Sequence, residues 1–423
     1  MVPLCCRLAL VALYLLSVSV ARAADTPPAD LHGRLTAQDG ISIVEIWGTP
    51  EKAGFAYGWL VATDVVELFD EFVLHPRITP SPALYESSIL PAACGRFEWP
   101  EAYRAEIEGV FAGAVARLGA SKVYSKRLER ALRVEDLLVA NSMADWFGLM
   151  CSSFSAWGSL SEGGQTITAR NLDFPFTPTM RKAQLVLVRR ADDSKHAWAT
   201  VTWPGLIGVY TGMNDAGVTM LMHDSNGLPM SAGLPFTPRS LVLREALEAA
   251  SAATFIDDVR GVFEKRRVMV GNNIHVSRPA DESRPAADGP NAAIFEYDAN
   301  KQGHGVTLRL GDAKDAASTN GAPPASLAIC TNHMRSRRDP QRCERYERLS
   351  AELAKLAKDG RRLDGRGALD LLRCVTRDDT LHSIALLPAT QTILLRLPKV
   401  RDEPVEIRLA PLFQSPNPES TRR

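Results

Sequence analysis

The 423-residue chain has no excess of either charge, since 49 Lys+Arg stand against 49 Asp+Glu. That balance excludes a protein holding nucleic acid through a general basic field. Nor is the chain poor in apolar residues. At 45% hydrophobic and 23% charged it lies outside the composition of disordered polar segments and can bury a sizeable core. Beyond the N-terminus no apolar run approaches the roughly 20 residues that a membrane span needs. No GxGxxG follows a strand-like stretch and no GxxxxGK[ST] occurs, so dinucleotide and P-loop chemistry are unsupported. No Cys/His pair has the spacing of metal ligands, and no internal repeat is present. What remains is a globular chain of one large domain or two ordinary ones.

The first 23 residues read as a secretory signal. Arg7 supplies a weak positive start, Leu8 to Val20 an apolar run, and Ala21-Arg22-Ala23 a small-x-small cleavage site. The alternative is a membrane anchor, but the run is short for a span and Asp25-Thr26-Pro27-Pro28 follows at once. The expectation is a secreted or periplasmic protein without a stable membrane span. Cys5 and Cys6 leave with the signal, and Cys94, Cys151, Cys330, Cys343 and Cys374 remain. An odd number in an oxidising compartment leaves one thiol unpaired, and Cys151 is expected to be that one and to be chemical. The other four form two disulfides or stay as buried thiols.

Residues 25–40 read as a loose polar arm. Between Pro100 and Gly119 the residues Tyr103, Ile107, Val110, Phe111, Ala114 and Leu118 fall on one helical stripe, with Gly119 as C-cap. Val134 to Trp146 reads as a second helix. The period then changes to two at Thr166–Arg170 and Gln184–Arg189, and further strands are expected at 197–202, 217–222 and 293–297. A helix opens at Thr237-Pro238, another runs from Arg342 to Lys358, and a short one from Arg366 to Cys374. Ser383–Pro388 and Gln391–Leu397 suggest a hairpin of buried strands. Pro279–Asn291 and Asp312–Ser326 read as surface insertions. Helices followed by a long strand series imply an α+β layered domain.

The segment that carries chemistry is Cys151-Ser-Ser-Phe-Ser-Ala-Trp157, then Gly163-Gly164, then Ala169-Arg170-Asn171-Leu-Asp173-Phe174. A Gly-Gly turn between two strands sets Arg170 and Asp173 beside the cysteine. A guanidinium next to sulfur favours thiolate, and a carboxylate holds a protonated amine. The plain alternative is a cysteine in a hairpin next to an ordinary ion pair.

This pattern resembles the nucleophile region of cysteine-type N-terminal-nucleophile (Ntn) hydrolases, in the acyl-CoA:6-aminopenicillanate acyltransferase-like group related to choloylglycine hydrolase and acid ceramidase. Two further stretches are similar to that group. Gly212-Met-Asn214-Asp-Ala-Gly217 resembles the turn whose Asn backbone N–H forms part of an oxyanion hole, and Thr331-Asn332-His333 the strand end whose Asn side chain completes it. Arg345 falls where the group places a second arginine, and Met150 stands where close relatives carry glycine.

The resemblance implies an αββα four-layer sandwich of two antiparallel sheets between helix layers. It implies self-cleavage between Met150 and Cys151, dividing the mature chain into a mostly helical segment 24–150 and a catalytic segment 151–423 of one folded unit. Cys151 would then attack an amide of a small N-acyl substrate, with a hydrophobic acyl chain rather than a peptide, and form a thioester. Arg170, Asp173, Asn214, Asn332 and Arg345 would support it, with no cofactor, no metal and no nucleic-acid partner. Phe174 and Phe176 are candidates to line an acyl pocket, while Trp146, Phe154 and Trp157 read mostly as core. His333 and His223 suggest a Cys–His protease, but such enzymes follow the cysteine with a helix. Two other readings remain open: an exported binding protein that keeps the fold without cleaving, and a β-lactam or lactone hydrolase using the same residues.

Overall fold

The computed structural model describes residues 26–146, 148, 150–174, 178–190, 195–225, 235–280, 290–298, 305–310, 326–337 and 342–414. The signal segment, Phe176 and most of the two insertions lie outside these. The described strands are β1 (Gly33–Gln38), β2 (Ile41–Ile46), β3 (Tyr124–Ser125), β4 (Arg130–Ala131), β5 (Met150–Ala156), β6 (Ile167–Asp173), β7 (Leu185–Arg189) and β8 (Trp198–Thr202). They continue with β9 (Thr211–Asn214), β10 (Thr219–Asp224), β11 (Asn272–Ser277), β12 (Ala292–Tyr297), β13 (Val306–Arg309), β14 (Leu327–Cys330), β15 (Thr380–Leu387), β16 (Thr392–Leu397) and β17 (Arg401–Arg408). Among the described residues they form one sheet in the order β1-β2-β7-β8-β9-β10-β11-β12-β13 and a second in the order β14-β5-β6-β15-β16-β17, besides the small β3–β4 hairpin.

The period-two pattern explains how the layers stack. Val186 and Val188 of β7 face inward with Ile43, Met213 and Leu221, against Ile384, Leu386, Ile393 and Leu395 of the second sheet. Their neighbours Leu185 and Leu187 face the opposite way, packing with Met220, Met222 and helix residues Leu137, Leu243 and Leu247. On the far side of the second sheet Phe154, Ala169 and Ile329 lie under Leu349 and Leu353 of helix Glu344–Lys358 and Leu369 of helix Gly365–Leu371. The result is an α+β sandwich of four layers, helix, sheet, sheet, helix.

Three expectations need correction. Residues 25–40 are not a loose arm throughout, because Gly33–Gln38 pairs with Ile41–Ile46 as an edge hairpin. The segment before position 150 therefore contributes strands as well as helices. The first sheet is also not wholly antiparallel, since β2 runs parallel to β7. The helix expected at Val134–Trp146 occurs at those bounds, and the one expected from Pro100 spans Glu101–Leu118, closed by Gly119 at φ 83. No described helix is long and apolar enough to cross a membrane. The five described cysteines are all thiols, so no disulfide joins Cys94, Cys330, Cys343 or Cys374.

Helices Pro50–Leu60 and Glu101–Leu118 meet backbone to backbone through glycines. A Cβ on Gly58 would lie 1.9 Å from Val110 O, and one on Gly113 2.0 Å from Phe55 O. Neither carbonyl can retreat without parting the helices. Gly58→Ala is therefore expected to cost about 1–3 kcal/mol or more of stability, read as a lowered urea midpoint at unchanged slope.

Candidate active site

Cys151 is the second residue of β5, and the chain returns as β6 with Met150 opposite Asp173, Cys151 opposite Leu172 and Ser153 opposite Arg170. The expected tight Gly-Gly reversal is instead a ten-residue loop, 157–166, that holds the 3-10 turns Gly158–Leu160 and Glu162–Gly164; Gly163 and Gly164, at φ 62 and 70, occupy the left-handed region that glycine enters without strain. Alternation then sends Cys151 and Ser153 toward the first sheet, and Ser152 and Phe154 toward the outer helices.

Arg170 is fully buried between the sheets. Its Nη2 lies 2.9 Å from Cys151 Sγ and also donates to Met222 O, while Nη1 donates to Tyr210 O and, at 2.5 Å, to Thr211 Oγ1. Among the described residues no carboxylate pairs with it. The sulfur itself lies 3.5 Å from Met222 O. Burial pushes the Cys151 thiol above its ordinary range, Arg170 pulls it back down, and Asp173 and Asp224 add smaller upward pushes.

Asp173 is buried and accepts from Thr380 Oγ1 at 2.6 Å on one oxygen. The other, Oδ2, has no hydrogen-bond donor and faces Arg345 Nη1 at 3.6 Å. Burial raises this carboxyl to about 6, against the downward pull of Thr380 and Arg345. Arg345 enters from helix Glu344–Lys358. Its Nη1 donates to Cys151 O at 2.5 Å and Ser152 Oγ at 2.9 Å, and its Nη2 to Asn332 Oδ1 at 2.7 Å. Asn332, just past β14, also accepts the Cys151 backbone N–H at 3.0 Å and donates through Nδ2 to Asp224 O at 2.7 Å. Cys151, Arg170, Asp173, Asn332 and Arg345 therefore stand together.

Asn214 does not join them. Its backbone N–H donates to Val218 O at 3.0 Å, Oδ1 accepts from Ala216 and Val218, and Nδ2 donates to Leu247 O and Ala250 O. It closes the β9–β10 turn, four residues along from Tyr210, or about 13 Å at the rise of a strand. The part of β10 that reaches the sulfur is its opposite end, Met222 to Asp224.

No family model matches the chain. It is 24% identical over 238 residues to Protein dcd1A of Dictyostelium discoideum, covering 49% of this chain and 50% of that protein. It is 24% identical over 223 residues to an uncharacterized protein of Archaeoglobus fulgidus, covering 48% and 37%. The chain thus spans half or less of the length of these curated relatives. Among solved structures it is similar to a Caenorhabditis elegans ortholog of N-acylethanolamine-hydrolyzing acid amidase, at 16% identity over 61% of this chain and 100% of that one, with a TM-score of 0.42. It is also similar to a variant of conjugated bile acid hydrolase from Clostridium perfringens, at 12% identity over 63% and 95%, TM-score 0.43. Penicillin V acylase from Agrobacterium tumefaciens matches at 16% identity over 59% and 84%, TM-score 0.37.

The histidines do not act on the sulfur. His223 Nε2 and His275 Nδ1 both meet Ser153 Oγ at 2.8 Å, and His275 Nε2 meets Ser155 Oγ at 2.8 Å. From there the chain of hydroxyls runs through Thr168 and Ser277 to Thr219. Burial, Arg170 and the neighbouring His275 hold His223 well below its usual range; burial, Arg309 and Arg170 hold His275 at about 3. Both rings are neutral and fully engaged. His333 is held below its usual range chiefly by burial, then by Arg345 and Arg335, and makes no bond to Cys151. Phe174 packs in the core, edge-on to Phe72 at 6.4 Å. Thr380, Thr211 and His382 escaped the sequence reading. Their only signal there is that Thr380 and His382 are polar residues two apart at the start of an apolar run.

Proposed function

We propose that this chain is an exported Ntn hydrolase of the acyltransferase-like group that cuts itself between Met150 and Cys151 and then cleaves small N-acyl amides through a Cys151 thioester. The observation that carries the reading is Arg170, a fully buried guanidinium bonded to neutral oxygens and one sulfur. A buried cation without an anion costs several kcal/mol, and ionisation of the Cys151 thiol removes that cost while supplying the nucleophile.

In the first reaction the thiolate adds to the Met150 carbonyl, the C–N bond to Cys151 breaks as its nitrogen takes a proton, and water hydrolyses the resulting thioester. The products are a Met150 carboxylate and an α-amine on Cys151. That amine ordinarily titrates at about 7.7–8.0, suited to a general base near neutral pH. Asn332 Oδ1, already 3.0 Å from the same nitrogen, and Asp173 Oδ2, which has no hydrogen-bond donor, are the acceptors that hold it as an ammonium. In turnover the amine takes the thiol proton as sulfur attacks the substrate carbonyl, and returns it to the leaving amine. The Asn332 side-chain N–H serves the oxyanion, and Arg345 holds the Cys151 carbonyl in place. Transfer of the acyl group to an amine in place of water uses the same residues.

Sequencing the termini of the purified protein tests this. Two fragments are expected, the larger beginning at Cys151, together with hydrolysis of at least one class among N-acyl amines, N-acyl amino acids, bile-salt conjugates and penicillins. A single uncut chain that leaves all four untouched would overturn the reading.

A further inference from the structure

We propose that Gln184, His382 and Thr211 form a positioning relay that holds the Arg170 guanidinium against the Cys151 sulfur. The proposal rests on Cys151 being the nucleophile and adds three residues outside the motifs that suggested it. The direction of each hydrogen bond follows from the far end of the relay. Gln184 Nε2 donates to two backbone carbonyls, Arg181 O and Leu381 O, each at 3.0 Å. Carbonyls only accept, so the amide nitrogen belongs there and Oε1 turns to His382. Oε1 lies 2.6 Å from His382 Nδ1 and accepts its proton.

His382 is completely buried, and burial together with Arg170 keeps the ring neutral, so Nε2 carries a lone pair. Thr211 Oγ1, 3.3 Å away, donates to that lone pair. With its proton directed there, the hydroxyl presents its own lone pairs to Arg170 Nη1 at 2.5 Å. The other terminal nitrogen of the same planar group then meets the sulfur. The backbone supports this arrangement. The β15–β6 register shifts between Thr380 and His382, and residues on the two sides of the irregularity serve different partners, Thr380 binding Asp173 and His382 binding Thr211.

None of the three touches the reacting atoms, so their effect should appear in the ionisation of the sulfur rather than in substrate affinity. Thr211→Val exchanges hydroxyl for methyl at nearly constant shape. It leaves in place the other charged and titratable groups around the site, namely Asp173, Asp224, Arg345, His223 and His275. Cys151 thiolate is titrated by its ultraviolet absorbance in the purified protein, with Cys151→Ala as the blank. The expected result is a midpoint about one pH unit higher in Thr211→Val, a tenfold loss of thiolate at a given pH below it. Self-cleavage of the newly translated chain should slow about tenfold in parallel, because only the thiolate attacks. Thr211→Ser should match the natural protein. His382→Phe should reproduce Thr211→Val, and His382→Gln, whose Oε1 takes the place of Nε2, should recover most of the loss. If His382→Phe does not fold, the threonine pair decides alone.

An unmoved midpoint in folded Thr211→Val overturns the relay, and it leaves the nucleophile reading intact if the natural chain still cleaves. Should the natural chain fail to cleave while Thr211→Val moves the midpoint, the self-cleavage reading falls and the relay stands.

Discussion

Cys151→Ala is expected to yield a single uncleaved chain with no turnover, a loss on the order of 10⁶-fold as for removal of other catalytic nucleophiles. No neighbouring hydroxyl replaces the sulfur. Ser152 faces the helix layer and receives Arg345, and Ser153 is committed to His223 and His275. The variant should remain folded, since it loses one atom from a buried site, and circular dichroism checks this. Denaturing electrophoresis with intact-mass measurement reads the outcome. Cleavage between Met150 and Cys151 persisting in this variant would refute an autocatalytic origin.

Asp173→Asn should have the second largest effect. An amide keeps the Thr380 contact but cannot hold an ammonium ionically, so turnover is expected to fall about 10²–10⁴-fold with the amine base misplaced. The same substitution has a consequence for stability, best measured in the uncleaved Cys151→Ala background. The carboxyl sits at about 6 in the folded chain, above its ordinary 3.8, because burial disfavours its charge. The folded chain therefore binds more protons than the unfolded one between about pH 4 and 6, and its stability falls as pH rises through that window. The contribution is at most about 3 kcal/mol, and Asp173→Asn should flatten that part of the pH–stability curve. A slope left unchanged by Asp173→Asn would assign the carboxyl an ordinary pKa.

The legibility of the site follows from how far apart its parts lie along the chain. Cys151, Arg170 and Asp173 fall within 23 consecutive residues on two successive strands, so their neighbourhood was legible although the loop 157–166 that joins the strands is longer than the Gly-Gly turn expected. Helix Val134–Trp146 was legible for the same reason, being a continuous local pattern. The edge hairpin at the N-terminus was missed because Gly33–Gln38 is mostly exposed and polar, and becomes a strand only by pairing with Ile41–Ile46, itself anchored on β7. Asn214 was misplaced because a turn motif states the backbone conformation of a segment and is silent on which end of the adjoining strands lies over the nucleophile.

By itself the amino-acid order placed a cysteine, an arginine and a carboxylate on two successive strands, and the resemblance of its motifs marked them as a site. Only the tertiary structure decided that Asn332, 181 residues from Cys151, takes its backbone N–H, that Arg345, 194 residues away, takes its carbonyl, and that Thr211 and His382, 171 residues apart, stand behind Arg170. Periodicity assigns a side chain to a face, because alternation along a strand is a property of the local backbone. How one sheet slides and turns over another is settled by packing of the whole inner layer, and no stretch of chain carries that information alone.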